Sequence, residues 1–344
     1  MKWWTKAAAS MAAIAPVVAG VAYTPASQTV SAQTLHLVFY SAQGYDAAEA
    51  AAFQKATGIK VELSDMSTGP LLARVAAQAQ NPQWDVIWFD GNEPMAVMNH
   101  QHQLLTGWTP ASARYYNSLG KSLLPANHGY FPTGVSAAAA IAYNTHQVTA
   151  AEAPKTWQAL LSPQWKNKIA MNNPAISGPT YPFVAGIFKL MGPSKAEAYF
   201  TGLRANGLHT HSTNGATLGA LEAGSVKIAL AQDSAIRFDM SQGAHIGIVY
   251  PKPVVMLPSD VAINAKAPDM KAAKEFVNFV LSKKGQQVMQ DWKAAGGDSY
   301  FQPVTTEIKP LISRTGVDWL NVNPLWGGEH QAAWTNWFTN NVVR

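Results

Sequence analysis

Two short segments, roughly 110 residues apart, carry the same chemistry: Ser67-Thr68-Gly69-Pro70 and Ser177-Gly178-Pro179-Thr180. Each joins hydroxyl residues, a glycine and a proline just ahead of an apolar helical run (Leu71, Leu72, Val75; then Phe183, Val184, Ile187, Phe188). Hydroxyl residues suit the N-cap, proline suits the first helical turn, and glycine lets a ligand approach the backbone closely. A helix start of this kind presents free N–H groups, hydroxyl donors and the positive end of the helix dipole, a combination that favours an anion. One such start ordinarily only caps its helix. Two of them, in a chain with no catalytic motif, read as two jaws closing on one anionic ligand.

The other reactive residue types are more thinly spread. No G-x-S-x-G, H-E-x-x-H or P-loop occurs after the leader. Asp233 and Asp239 are too loosely placed to form an acid/base pair, so a secreted hydrolase is only a remote alternative, tested by turnover of a phosphomonoester. His100 and His102, like His209 and His211, have metal-type spacing on an extended chain, but no third ligand supports either pair, and they read as solvated or capping histidines. Trp326, Trp334 and Trp337 lie in an amphipathic C-terminal segment suited to core packing or lobe docking. No metal or cofactor is implied.

The elements that must position these residues alternate. Leu35–Tyr40 reads as a buried strand, Asp46–Thr57 as a helix closed by Gly58, Lys60–Leu63 as a second strand and Asp85–Phe89 as a third. This β-α-β-α-β order predicts a parallel sheet covered by helices, whose strand-end loops gather Ser41, Ser67, Thr68, Asp90 and Asn92 on one rim. The small-residue run Ser136–Asn144 reads as an extended crossing segment. A second unit follows, with strands at Lys168–Met171, Leu208–Ser212 and Lys227–Ala231, and a helix at Ala216–Glu222 stopping at Gly224. The proline-punctuated stretch Ile246–Ile263 reads as a return crossing, and Lys271–Leu281 as an amphipathic helix. The expected organisation is a leader over 1–32, a first lobe over 33–138 to which part of 253–295 returns, a second lobe over 139–252, and a helical segment over 296–344 packing on the lobes. Two α/β lobes joined by two crossings make a hinged clamp.

The leader has Lys2 and Lys6, an apolar stretch from Ala7 to Tyr23, and Val30-Ser31-Ala32. That pattern is a signal peptide cleaved near Ala32; the apolar stretch is short for a membrane span and is interrupted by Pro16 and Gly20. Removing 32 of the 344 residues leaves 312, enough for two ordinary domains, and the formal charge of +5 falls to about +3 without Lys2 and Lys6. With no basic run longer than Lys283-Lys284, nucleic acid is not an expected partner. Cysteine is absent, so an exported chain of this size must rely on its cores rather than on disulfides.

Several stretches in this order and spacing resemble the periplasmic solute-binding proteins of ABC importers, in the branch that includes ferric-iron, phosphonate, hexose-phosphate and thiamine binders. They are NPQWDVIWFDG at 81–91, AAAIAYNT at 138–145, PKTWQALLSPQWKNKIAMNNPAISGPTY at 154–181, LEAGSVKIALAQDSA at 221–235, LPSDVAI at 257–263 and AAKEFVNFVLSKKGQQVM at 272–289. The resemblance implies an α/β type II binding-protein fold: two Rossmann-like lobes on a two-segment hinge, acting as a monomer in the periplasm and handing its solute to a membrane ABC permease.

Ferric-iron members of that family use adjacent tyrosines after a late strand of the second lobe, since phenolate oxygens suit a hard ferric ion. The corresponding stretch here, Leu230–Ile236, has no tyrosine; the only Tyr-Tyr pair, Tyr115-Tyr116, lies in a first-lobe helical segment. The first loop carries Ser41 and Gln43 where iron binders tend to have a histidine or an acid. The phosphonate and organophosphate members are the better match, with ferric iron as the alternative cargo. Carried over by position, Ser41, Ser67 and Thr68 would hold a phosphoryl group from one lobe, and Ser177, Gly178 and Thr180 from the other. Asp233 and Ser234 occupy the place where family members read the rest of the ligand, although an aspartate after a strand equally often caps the next helix; Arg237 would supply a bidentate contact, and Tyr181 and Trp88 would wall the cleft. The expected solute is therefore a small anionic, phosphate- or phosphonate-bearing organic molecule.

Overall fold

The computed structural model describes residues 35–293 and 298–344. The expected leader over 1–32, with its expected cleavage near Ala32, lies outside the described residues. In chain order the first elements are β1 (His36–Ser41), α1 (Asp46–Thr57), β2 (Lys60–Asp65), α2 (Thr68–Ala77), β3 (Val86–Asp90), α3 (Glu93–His100), α4 (Ser118–Leu123) and β4 (Phe131–Ala137). Then come β5 (Ala140–Asn144), β6 (Ile169–Asn172), α5 (Thr180–Met191), α6 (Pro193–Ala205), β7 (His209–His211), α7 (Asn214–Glu222), β8 (Ile228–Ala231), α8 (Asp233–Ser241) and β9 (Ile246–Val249). The chain ends with β10 (Val254–Ile263), α9 (Met270–Val280), α10 (Lys283–Asp291), β11 (Trp319–Leu320) and α11 (Pro324–Phe338).

Two sheets organise these elements. The first runs β11-β10-β3-β1-β2, with β4 also pairing β10; β1, β2 and β3 are parallel, while β10 is antiparallel to both β3 and β4. The second runs β7-β6-β8-β5-β9. The chain passes from the first sheet to the second at Ala138-Ala139 and returns through Tyr250–Pro253. The run Ser136–Asn144, which reads as one extended segment in sequence, is therefore two strands in different sheets. Ala138 keeps its backbone paired by donating to Val255 O at 2.9 Å.

The inner strands β3, β6 and β8 are almost continuously apolar because both faces of each sheet are covered there, whereas the edge strands β2 and β7 carry polar, partly exposed residues. In β3, Val86 and Trp88 enter one core with Phe39, Phe53 and Phe276, while Ile87 and Phe89 enter another with Tyr40 and Leu71. The second sheet divides by size. Ile141, Ile169, Met171, Ile228 and Leu230 face the aromatic core of α5 and α6, whereas Ala140, Ala142, Ala170 and Ala229 face α7 and α8. Trp88, expected to wall the cleft, is instead fully buried in the first-lobe core, its Nε1 donating to Thr133 Oγ1 at 3.0 Å. Gly58 closes α1 in the left-handed region (φ 75°), as its position implies.

The C-terminal helix α11 touches both halves. Gly327 and Gly328 lie against Glu93 of α3: a Cβ on Gly328 would come within 2.4 Å of Glu93 O. Further along, Trp334 stacks on Phe188 of α5 with centroids 4.4 Å apart, and Phe338 is fully buried in the same core.

Candidate functional site

The two hydroxyl-rich helix starts face each other. Ser67 precedes α2 and Pro179 precedes α5, and neither helix is capped by a side-chain hydrogen bond. Gly69 N donates to Ile176 O at 3.2 Å. A Cβ on Gly178 would lie 2.3 Å from Thr68 Oγ1 and 3.0 Å from Asp90 O, and one on Gly69 would lie 2.1 Å from Ala175 O. Glycine is required on both sides because the backbones of the two halves meet here.

This contact divides the cleft. On one side lies a chamber of about 340 Å³ whose lining includes Ser67, Thr68, Asp90, Ser177, Gly178, Ser212, Thr213, Asn214, Gln232 and Asp298. No Lys or Arg side chain is among its described lining residues. On the other side, under α11, lies a larger and more apolar crevice of about 490 Å³, walled by Leu72, Val97, Tyr181, Pro182 and Ala332, with Glu93 buried at its edge.

Asp90 is the centre of the polar chamber. It accepts from Gln43 Nε2 at 3.1 Å, from Gln232 Nε2 at 3.0 Å, and from the Ser259 hydroxyl in a short contact. The Gln232 bond crosses from the second sheet to the first. Burial lifts the Asp90 carboxyl above its ordinary range, and the three donors only partly offset that. Asp298 accepts from Gly44 N at 3.1 Å and is also pushed up, by burial and then by the nearby Asp90 charge. Behind Gln232 a chain of amides continues: Asn214 Nδ2 donates to Gln232 Oε1 at 3.1 Å, Asn172 Nδ2 donates to Asn214 Oδ1 at 2.7 Å, and it also reaches Ser177 Oγ at 3.2 Å. The second helix start is thus wired to the chamber floor.

A model of the bacterial extracellular solute-binding proteins matches residues 94–307. The chain belongs to that family. Over 267 residues it is 25% identical to a Salmonella typhi periplasmic protein named for 2-aminoethylphosphonate binding, covering 75% of this chain and 74% of the other. It is equally 25% identical, over 264 residues (74% and 78% of the two chains), to the major ferric iron-binding protein of Neisseria meningitidis. In fold it is similar to AfuA of Actinobacillus pleuropneumoniae with fructose-6-phosphate bound (TM-score 0.79, 20% identity, 90% and 98% covered). It is also similar to iron-bound HitA of Pseudomonas aeruginosa (TM-score 0.78, 21% identity, 89% and 99% covered). The fold is that of the type II periplasmic binding proteins. As a family member the protein is the solute-binding component of an ABC transporter and not an enzyme.

Not every residue expected at the site of this solute-binding protein reaches the chamber. Ser67, Thr68, Asp90, Ser177 and Gly178 line it. Ser41 and Gln43 sit one layer behind, with Ser41 Oγ accepting from Gln43 N at 3.1 Å and Gln43 supporting Asp90. Asn92 is the N-cap residue of α3, and Thr180 is buried in the first turn of α5. Tyr181 lines the crevice under α11, and its hydroxyl donates to Gly327 O. Asp233 is directed elsewhere, to Ala137, Tyr250 and Arg314, and Ser234 is buried beside it. Arg237 donates to Tyr250 OH at 3.4 Å. Ser212, Thr213, Asn214, Gln232, Ser259 and Asp298 escaped the sequence reading. Only Ser212-Thr213-Asn214, hydroxyls ahead of a helix like the two starts singled out, left a usable signal.

Proposed function

We propose that this binding protein captures, in the periplasm, a small organic solute with a phosphonate or phosphate group at one end and a hydrogen-bond-donating or cationic group at the other, and delivers it to a membrane permease by hinge closure. The observation that carries this reading is the lining of the polar chamber. Hydroxyls and backbone from two facing helix starts supply donors to an anion, while Asp90 and Asp298 supply acceptors, with no lysine or arginine among the described lining residues. A bare dianion would meet the two carboxyls unfavourably. A solute whose other end offers N–H or O–H donors would turn the same carboxyls into partners, as 2-aminoethylphosphonate or a sugar phosphate does. Hydrogen bonds to a charged group contribute about 1.5–3 kcal/mol each, so a handful suffices for the roughly 8 kcal/mol of micromolar binding.

Ferric iron is the second reading, favoured by the iron-binding relatives and by the two carboxyl oxygen donors, Asp90 and Asp298. Calorimetric titration with 2-aminoethylphosphonate, fructose 6-phosphate, inorganic phosphate and ferric citrate separates the two. Saturable binding of either organophosphorus compound, with inorganic phosphate weaker, supports the proposal. A visible charge-transfer band with iron and no heat from either organic compound overturns it.

A further inference from the structure

Asp233, the first residue of α8, has a fully buried carboxylate that ties together three separate segments. Its Oδ1 accepts from Ala137 N at 2.7 Å, at the last residue of β4, where the chain leaves the first sheet. Its Oδ2 accepts from Tyr250 OH at 2.8 Å, where the chain starts back from the second sheet. The same oxygen accepts from Arg314 Nε at 2.7 Å. Arg314 in turn donates through Nη2 to Tyr300 O at 2.6 Å, and its side chain is only 2% exposed. The segment around Tyr300 belongs to the first lobe: Phe301 packs in that lobe's core and Gln302 pairs with Val135 of β4. One carboxylate of the second lobe is therefore bonded to both crossings and to an arginine held by the first lobe.

A buried ion pair gains little net stability, because desolvation consumes most of the Coulomb attraction; its best-attested use is to fix register. Contacts near a rotation axis persist while distant ones separate. Thr68–Gly178, Gly69–Ile176 and Asp90–Gln232 join the lobes through the strand-end rim, whereas Asp233 joins them at the crossings themselves. We infer that the Asp233–Arg314–Tyr250 knot is the hinge pin of this protein, a set of positioning residues that confines lobe rotation to one path without touching the solute. The inference rests on the hinge-closure reading above but is independent of which solute is captured.

The chain has no cysteine, so a Lys55→Cys/Lys195→Cys pair labels one exposed site on α1 and one on α6 uniquely. Spin-label distance distributions are then recorded without solute and with 2-aminoethylphosphonate. Tyr250→Phe removes one bond of the knot, and Asp233→Asn with Arg314→Gln removes its charge pair without leaving one ion buried alone. Both variants are expected to broaden and shift the solute-free distribution, whereas Gly178→Ala, at the rim, should move population toward a longer but equally narrow distance. A distribution unchanged from the parent in both knot variants overturns the hinge-pin assignment, whatever their melting temperatures. A parent that does not respond to 2-aminoethylphosphonate counts against the proposed solute alone, because the knot is read from the solute-free distributions.

Discussion

Glu93 offers the sharpest test of how the cleft wall is built. Its side chain sits at the start of α3, 3% exposed, with Gly327 and Gly328 of α11 pressed on it and Oε2 without a hydrogen-bond partner. Its charge in turn raises the described groups Asp260, Tyr130 and Tyr181, none of them cationic. Burial therefore lifts its carboxyl from the ordinary 4.5 to about 7. A lift of that size corresponds to about 3 kcal/mol. The sign follows from proton binding. Below pH 4.5 both the folded and unfolded forms are protonated and burial of the carboxyl costs little. Between 4.5 and 7 the unfolded chain loses this proton while the folded protein keeps it, so stability falls as pH rises, and above 7 the loss is complete. Glu93→Gln keeps the shape of the neutral acid and removes the titration. The variant should match the parent near pH 4.5 and exceed it by about 3 kcal/mol at pH 8, on the order of 5 °C in melting temperature for a chain of this size. Thermal melts by circular dichroism across that range read the gap directly. A gap that is constant with pH, or that opens on the acid side, would refute the argument that burial holds this carboxyl, with one oxygen unpaired, in its neutral form.

Gly178→Ala forces a Cβ to within 2.3 Å of Thr68 Oγ1 and 3.0 Å of Asp90 O, so calorimetry should show roughly tenfold or greater loss of solute affinity at nearly unchanged melting temperature. Ser67→Ala with Ser177→Ala should weaken binding by on the order of a hundredfold. Because neither hydroxyl caps its helix, the same variant should melt within about 3 °C of the parent; retained affinity would return both serines to a structural role. Trp334→Ala removes the stacked partner of Phe188 and should cost roughly 3–5 kcal/mol in urea unfolding, with solute affinity in the folded protein largely kept.

Much of the fold was legible because its signals are local. The apolar runs of β1 and β3, the periodicity of α1 with Gly58 behind it, and the amphipathic face of α9 each arise within about a dozen residues, and each was found within a residue or two. That each helix start sits at the strand-end edge of its own sheet was also readable, since strand order fixes which loops share an edge, but strand order does not fix how the two sheets face one another. What escaped the reading depends on side-chain direction across long separations. Nothing near Asp233 announces that it will meet Arg314, 81 positions away, rather than the cleft. Trp88 and Phe89 are neighbours in sequence, yet they enter different cores because a strand alternates its faces, and only the packed helices decide which face looks where. Asp298 reaches Gly44 across 254 positions from a stretch with no periodicity at all.

If the protein works by the proposed hinge closure, the chamber makes closure and recognition inseparable. Among the described residues, Asp90 carries the only side-chain hydrogen bond between the two halves at the chamber, from Gln232, and that same carboxylate lines the space a solute would enter. A solute donor directed at Asp90 must either share the carboxylate with Gln232 or displace its amide. Sharing adds a partner to a buried acid whose pKa is already raised, and so favours the ionised, closed form. Displacement exchanges one interlobe bond for another that runs through the solute. In both cases binding energy is taken up where the lobes meet rather than in one lobe alone, which is the condition for a ligand to shift a two-state equilibrium. A solute with only an anionic end would engage the helix starts but leave Asp90 and Gln232 as they are. On the proposed reading it would gain the donors of Ser67, Thr68 and Ser177 without that added leverage on closure, so selectivity between bare anions and two-ended solutes would follow from the position of this one carboxylate.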